Sequence, residues 1–204
     1  TEFHRLWYDS KAWKVMKWFG VPIQKNPFDL YQYQEILCHR RTDYVIETGA
    51  LWGGSALYFA HLFDCLGPGT VISIDLEGGW SPFVLKHPRI IPIRGDSISP
   101  EVLQQVRALV PLGATCFVIL DSDHRMDHVL AELWAFQGFL QVHDYLIVED
   151  TNANGHPVLA EHGPGPWEAV ATFLDKNRKF ELDRGKEEKF SFTFAPSGWL
   201  RRVL

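Results

Sequence analysis

Between Asp43 and Glu149 the sequence alternates short apolar runs with amphipathic stretches, and that alternation leaves the chain few folds to choose from. Asp43-Tyr-Val-Ile-Glu-Thr48, Thr70-Val-Ile-Ser-Ile-Asp75, Arg89-Ile-Ile-Pro-Ile-Arg94, Thr115-Cys-Phe-Val-Ile-Leu120 and Asp144-Tyr-Leu-Ile-Val-Glu149 each read as a strand. Gly54–Leu66, Glu101–Leu109 and Asp127–Leu140 read as the helices between them, the first stopped by Gly67-Pro68-Gly69. Strands that alternate with helices make a parallel sheet covered on both faces. Pro92 has no N–H to give to a ladder, so its strand belongs near an edge. After a Gly/Pro-rich loop come the helix Trp167–Asn177 and two short runs, Phe180–Asp183 and Phe190–Phe194, joined by the charged segment Arg184–Lys189. The expected fold is therefore α/β, a mostly parallel seven-stranded sheet with helices on both faces.

At 204 residues the chain has the length of one domain, which begins at Asn26-Pro27, a helix cap and first-turn proline leading into Phe28–Arg41. Residues 1–25 form an aromatic N-terminal arm with Phe3, Trp7, Trp13, Trp18 and Phe19. The arm reads either as a helix packed on the domain or on a second subunit in a homo-oligomer, or as a lid over a ligand.

Composition narrows the partners. Twenty Lys+Arg against 25 Asp+Glu give a net charge of −5, so no general positive field is present to gather nucleic acid or an anionic membrane. Uncharged stretches such as Ala108–Leu120 fall short of the ~18 apolar residues of a membrane span. Cys38, Cys65 and Cys116 are an odd set without a C-x-x-C pair, which points to reduced thiols in a cytoplasmic protein. The chain starts at Thr1 with residues too charged for the apolar core of a signal peptide, so the start reads as a trimmed one.

In open parallel sheets, ligands sit at the carboxyl ends of the strands. Here those ends read Glu47-Thr-Gly49, Asp75-Leu-Glu77, Gly95-Asp-Ser97, Asp121-Ser-Asp-His124 and Glu149-Asp150-Thr-Asn152, each with at least one carboxylate. The first strand-to-helix turn, Glu47 to Ser55, lacks the lysine of a phosphate loop and has Leu51 where a dinucleotide fingerprint needs glycine. An acid two residues before Gly49 suits a cationic ligand such as a sulfonium or an amine. Asp75 is placed for a ribose and Asp96 for an adenine amine. This pattern resembles that of class I S-adenosylmethionine-dependent methyltransferases, with a Rossmann-like fold. The candidate donor-binding residues are Glu47, Gly49, Gly53, Ser55, Asp75, Asp96, Ser97 and Asp121.

Glu149 and Asp150 end the strand that follows Asp121 by 28 residues. If one crossover helix lies between, the two strands are neighbours about 4.8 Å apart and three carboxylates converge. Such charges require a proton or a cation among them. Oxygen ligands favour Mg²⁺, with Mn²⁺ or Ca²⁺ as substitutes, over zinc. Asp121, Glu149 and Asp150 are thus the candidate metal ligands, with Asp123 as a second choice; the competing reading has them capping loop amides or pairing with Arg125. His124 can lean over the same site as general base toward a hydroxyl, or simply hydrogen-bond a neighbour. His128, four residues on, reads as a helix-surface residue.

Glu47-Thr-Gly49 with Gly53-Gly54-Ser55, Asp121-Ser-Asp-His124, and Glu149-Asp150 followed by Asn154-Gly155-His156-Pro157 and Gly163-Pro164-Gly165-Pro166 resemble the cephalosporin hydroxylase/rhamnosyl O-methyltransferase family over roughly Asn26 to the C terminus. The resemblance implies a metal- and S-adenosylmethionine-dependent O-methyltransferase acting on the hydroxyl of a sugar or polyketide-type natural product. Carried over by position, Asp121, Glu149 and Asp150 would hold Mg²⁺ and His124 would be the base. Trp52, Trp80, Trp167 and the 154–166 loop are candidate walls or lid for the acceptor. Two rivals stand beside this reading. An NAD(P)-dependent oxidoreductase is suggested by Asp75, 21 residues after Gly54, although Leu51 and the missing Tyr-x-x-x-Lys pair oppose it. The other is a non-catalytic S-adenosylmethionine-binding partner protein.

Overall fold

In the computed structural model, which describes residues 2–204, the alternation becomes a sheet of seven strands with helices on both faces. The arm supplies α1 (Glu2–Asp9), a short 3₁₀ turn at Ala12–Val15 and a two-stranded hairpin of β1 (Lys17–Trp18) and β2 (Val21–Pro22). There follow α2 (Pro27–Arg40), β3 (Tyr44–Thr48), α3 (Gly54–Leu66), β4 (Thr70–Asp75), α4 (Pro82–Lys86), β5 (Ile90–Arg94), α5 (Pro100–Leu109) and β6 (Cys116–Leu120). The chain closes with α6 (Met126–Phe136), β7 (Tyr145–Val148), α7 (Pro166–Lys176), β8 (Phe180–Leu182), α8 (Arg184–Glu188) and β9 (Trp199–Arg202).

The main sheet runs β5-β4-β3-β6-β7-β9-β8, with β3 to β7 parallel and β9 antiparallel to both β7 and β8. Pro92 does lie on an edge strand. The order reverses between β3 and β6, so a crevice opens at their carboxyl ends. Alternate residues of each strand serve opposite faces. Val45, Val71, Phe117 and Ile147 pack with Tyr33, Phe59 and Phe63 of α2 and α3. Ile46, Ile72, Val118 and Leu146 pack with Val106, Leu133, Phe136 and Phe173 of α5, α6 and α7. Among the described residues, no helix is long and apolar enough to cross a membrane.

Three local expectations are corrected. Phe190–Phe194 is a loop rather than a strand, because Ser191 takes a left-handed conformation (φ 55°) that breaks the extended run. The strand that pairs with Phe180–Leu182 is Trp199–Arg202, with Leu182 opposite Leu200. The charged segment at 184–189 contains the short helix α8, capped by Asp183 through its bond from Lys186 N at 3.2 Å. The helix expected to reach Leu140 leaves α geometry at Phe136 and ends in a 3₁₀ turn over Gln137–Phe139.

The phenylalanines released from that loop build the seat of the arm. Trp7 and Tyr8 of α1 lie 5.3 and 5.7 Å from the Phe194 ring, and Trp13 lies 6.1 Å from it. Tyr8, Val158, Phe192 and Phe194 form a small satellite core. The inward side of the arm is thus occupied within the chain, with Phe3 edge-on to Phe192 at 5.1 Å, while Leu6 faces outward. Farther along, Val21 and Ile23 of the hairpin segment join the main core. A Cβ at Gly54 would stand 2.1 Å from the Pro22 carbonyl oxygen, so the hairpin lies directly on the start of α3. Phe194→Ala should lower the unfolding free energy by about 3 kcal/mol, as is usual for a buried phenylalanine, and should speed proteolytic cleavage within residues 3–15; both are readable from urea titration and limited proteolysis.

Candidate active site

The crevice is shaped first by a glycine. Gly49 leaves β3 with φ +76°, and a Cβ there would stand 1.8 Å from the Asp121 carbonyl oxygen, so only glycine lets the ends of β3 and β6 approach this closely. The turn is then fixed by Asp75. Its Oδ2 accepts from Leu51 N at 2.8 Å and its Oδ1 from Glu77 N and Gly78 N, each at 2.9 Å. Leu51, held in this way, has a left-handed backbone (φ 52°). Two cavities flank the turn and share Gly49, Leu51, Asp75 and Ser122, which makes them two halves of one trough. One half, about 500 Å³, lies over β4 and β5 against Leu76, Asp96, Ser97 and His128. The other, about 350 Å³, holds Lys25, Ser55, Asp121, His124 and Asp150, with Tyr8, Trp13 and Phe194 as an aromatic wall.

Of the expected donor-binding residues, Gly49, Ser55, Asp75, Asp96, Ser97 and Asp121 line the trough. Gly53 and Glu47 do not. Gly53 (φ +79°) closes the turn through its N–H to Ala50 O at 2.7 Å and packs against Trp80 and Val84. Glu47 is only 2% exposed and lies beneath the turn, where the Ser73 hydroxyl donates to its Oε1 at 2.7 Å. Burial raises its pKa against the opposing bonds from Ser55 and Ser73, so it braces the turn instead of facing a ligand. The Ser97 hydroxyl donates to buried Glu132 at 2.6 Å, and Ser122 donates to the same oxygen at 2.7 Å. His128 is not a surface residue: in the first turn of α6 it lies 3.3 Å from Ser97 Oγ and lines the trough. Among the tryptophans, Trp80 is tied to Ser73 Oγ at 3.0 Å, and Trp167 stacks on His156 with ring centroids 4.3 Å apart.

The carboxylates of β6 and β7 are interleaved with donors in a continuous chain. The Tyr33 hydroxyl donates to Glu149 Oε1 at 2.6 Å. The Lys25 ammonium lies 3.0 Å from that oxygen and 2.5 Å from Asp121 Oδ2. His124 Nε2 then lies 3.3 Å from Asp121 Oδ1 and 3.4 Å from Asp150 Oδ2. The expected cation among the acids is thus present within the chain, as Lys25, 96 residues before Asp121. The local sequence held one hint, a lysine wedged between an apolar hairpin and a helix cap, a place with little water to solvate it. Asp123 is held by Arg125 at 2.7 Å, which turns it from Asp121's role. Arg125 accordingly pairs with Asp123.

Asp121, His124 and Asp150 each bring a ligand atom to within 4.8 Å of the other two. The two carboxylate oxygens, opening on a polar cavity, suit a hard divalent ion, and the imidazole nitrogen beside them is the softer donor of the three. The three-carboxylate convergence expected from the strand ends is realised by two: Glu149 stands outside this group, engaged by Tyr33 and Lys25. Asp150 reaches the group from a left-handed backbone (φ 53°), a conformation costly for a non-glycine residue and found at functional sites. Burial, with the charges of Asp121 and Glu149 beyond the counter-effect of His124, pushes the Asp150 carboxyl up to about 6. Burial alone would lower the His124 pKa, but its bond to Asp121 and the charge of Asp150 raise it to about 9.

Comparison with known proteins agrees with this geometry. The sheet order and the crevice at the β3/β6 reversal are those of class I methyltransferases; the Mg–SAM form of CmcI superposes with a TM-score of 0.72 at 22% identity, covering 94% of this chain and 78% of that one. MycE, from the mycinamycin biosynthetic pathway, in complex with Mg, SAH and mycinamycin VI, superposes at 0.52 and 20% identity over 71% of this chain and 39% of that one. The model of the Rhamnosyl O-methyltransferase/CmcI family matches residues 10–203. A rhamnosyl O-methyltransferase of Mycobacterium leprae is 40% identical over 98% of this chain and 89% of its own length. The chain belongs to this family and is an S-adenosylmethionine-dependent O-methyltransferase.

A histidine whose folded pKa lies above its unfolded value of 6.5 lends stability that is complete below pH 6.5 and disappears as pH rises through about 9. In EDTA, therefore, the stability advantage of the wild type over His124→Gln should be largest near pH 6 and shrink steadily toward pH 9 in parallel urea titrations. A constant difference would show that His124 is not held charged between the two aspartates.

Proposed function

We propose that this enzyme moves the methyl group of S-adenosylmethionine to a hydroxyl of a sugar carried by a larger natural product, and that it needs a divalent cation to do so. The observation that carries the reading is His124 poised between Asp121 and Asp150 in the aromatic-walled half of the trough. The names of the mycobacterial relatives support a sugar acceptor, rhamnose among them. The Mg-containing structural neighbours support the metal.

In this reading the nucleoside of the donor lies in the half bounded by Asp75, Asp96 and Ser97, and its sulfonium lies near Gly49. Asp121 and Asp150 hold the cation, with Glu149 kept behind them on Lys25. A divalent cation at these two aspartates would supply Lewis-acid chemistry, lowering the pKa of the acceptor hydroxyl. His124 Nε2 takes the proton; a nearby positive charge would lower its pKa, so that the imidazole is neutral and able to accept at physiological pH. The new O–CH₃ bond forms as the C–S⁺ bond breaks, S-adenosylhomocysteine departs, and His124 passes its proton to water. Tyr8, Trp13 and Phe194 face the ring of the acceptor and keep water from the alkoxide.

The test is methyl transfer from labelled S-adenosylmethionine to a panel of rhamnosides, other glycosides and their aglycones, with Mg²⁺ and with EDTA. Transfer should require the sugar and fall to background in EDTA, and His124→Gln should lose about 10²–10⁴-fold in kcat with S-adenosylhomocysteine affinity changed less than threefold. Full turnover in EDTA would remove the metal from the mechanism, and methylation of aglycones alone would remove the sugar.

A further inference from the structure

The Lys25 ammonium occupies the point where the charge of the strand ends is densest. It is a few per cent exposed, touches Asp121 and Glu149 at once, and borders the cavity that holds His124 and Asp150. Its location is imposed by backbone on both sides. Two residues before it, Ile23 N donates to Met16 O at 3.0 Å; directly after it, the Asn26 side chain accepts from Phe28 N at 3.0 Å and starts α2. Glu149 is fixed from the same helix by Tyr33. A divalent ion held by Asp121 and Asp150 beside His124 must therefore settle next to a fixed positive charge, and an ion that draws in Glu149 must first displace that charge.

We propose that Lys25 is a tethered competitor of the divalent cation, neutralising Asp121 and Glu149 when the ion is absent and limiting how tightly the ion is held when it is present. The proposal rests on the metal-dependent reading above in one respect, that a divalent ion enters this cluster. Its signature is a pair of effects with opposite signs. Without the ammonium, two carboxylates face each other in a dry setting, and the ion-free protein loses stability. The same change removes a repulsion and frees Glu149 as a further ligand, and ion binding tightens. A lysine that only supported the fold would weaken both.

The experiment compares Lys25→Met and Lys25→Gln with the wild type, each stripped with EDTA and dialysed, by calorimetric titration with MnCl₂ and by thermal unfolding with and without Mn²⁺. The expected result is an unfolding midpoint lower by about 6 °C or more without the ion, Mn²⁺ affinity at least tenfold tighter, and a midpoint restored toward wild type by saturating Mn²⁺. If the Met variant does not fold, the Gln variant, which keeps a hydrogen-bond donor for the two carboxylates, is read in its place. Mn²⁺ affinity unchanged or weaker in a folded variant would overturn the proposal, as would the absence of Mn²⁺ uptake by wild type and variants alike. Failure of the methyltransferase reading is separately visible as wild-type protein that neither binds S-adenosylhomocysteine nor transfers methyl.

Discussion

One buried ammonium ties together three segments that the sheet alone would leave independent. Through Asp121 and Glu149, Lys25 joins the arm hairpin to the ends of β6 and β7, and through Tyr33 the same knot reaches α2. Breaking a buried pair by removing one partner costs about 3–5 kcal/mol, a large part of the roughly 5–15 kcal/mol by which a domain is stable. The carboxylates needed for chemistry are thus also structural, and the charge that makes them tolerable in the interior comes from a residue outside the strand-ends that carry them. The desolvation that makes this arrangement costly also sharpens it, because little water is present to screen an added or a removed charge.

The central sheet was legible because parallel strands buried on both faces are rich in consecutive apolar residues: β6 and β7 run five and four apolar residues without a break, and β3 and β4 carry shorter runs interrupted by Glu47 and Ser73. Elements whose burial is one-sided were harder to read. β9 contributes Trp199 and Leu200 and then two arginines, so its sequence resembles a surface turn, while Phe190, Phe192 and Phe194 alternate as a strand would. Their real partners, α1 and the start of α2, lie more than 150 residues away in the chain, and periodicity within a short window carries no information about them.

The site divides in the same way. That Asp121, His124, Asp75 and Asp96 line the trough was legible because the ends of parallel strands open on one crevice by topology alone. Glu47 was misplaced for a geometric reason: successive residues of a strand face opposite sides, and the side chain two residues before Gly49 lies under the turn against Ser73. Lys25 was hard to read because its role is set by a contact 96 residues away, its place between the hairpin and the helix cap being the one local hint. The requirement for positive charge among the acids could still be stated without knowing its source, since three carboxylates this close cannot all remain ionised and unpaired. Electrostatics constrained the sum of charges before structure identified the residues that supply it.

The two halves of the trough are built from parts of unequal rigidity. The half over β4 and β5 is made of turns locked by Asp75 and by the absence of a side chain at Gly49, both continuous with the main core. The half around His124 takes its aromatic wall from the arm and the 190–194 loop, whose satellite core has four buried members among the described residues. A small core of this kind opens at lower free energy than the sheet does. Changes at Tyr8, Trp13 or Phe194 therefore act on the shape and mobility of one end of the trough while leaving the other end unaltered. Burial and the charge of Asp150 push the Tyr8 hydroxyl up to about 12, so it stays neutral at any physiological pH. The arm is tied to the charged cluster through Lys25 at the hairpin exit, which holds Asp121 and Glu149, so that the segment leading into α2 and the electrostatics of the acids depend on each other.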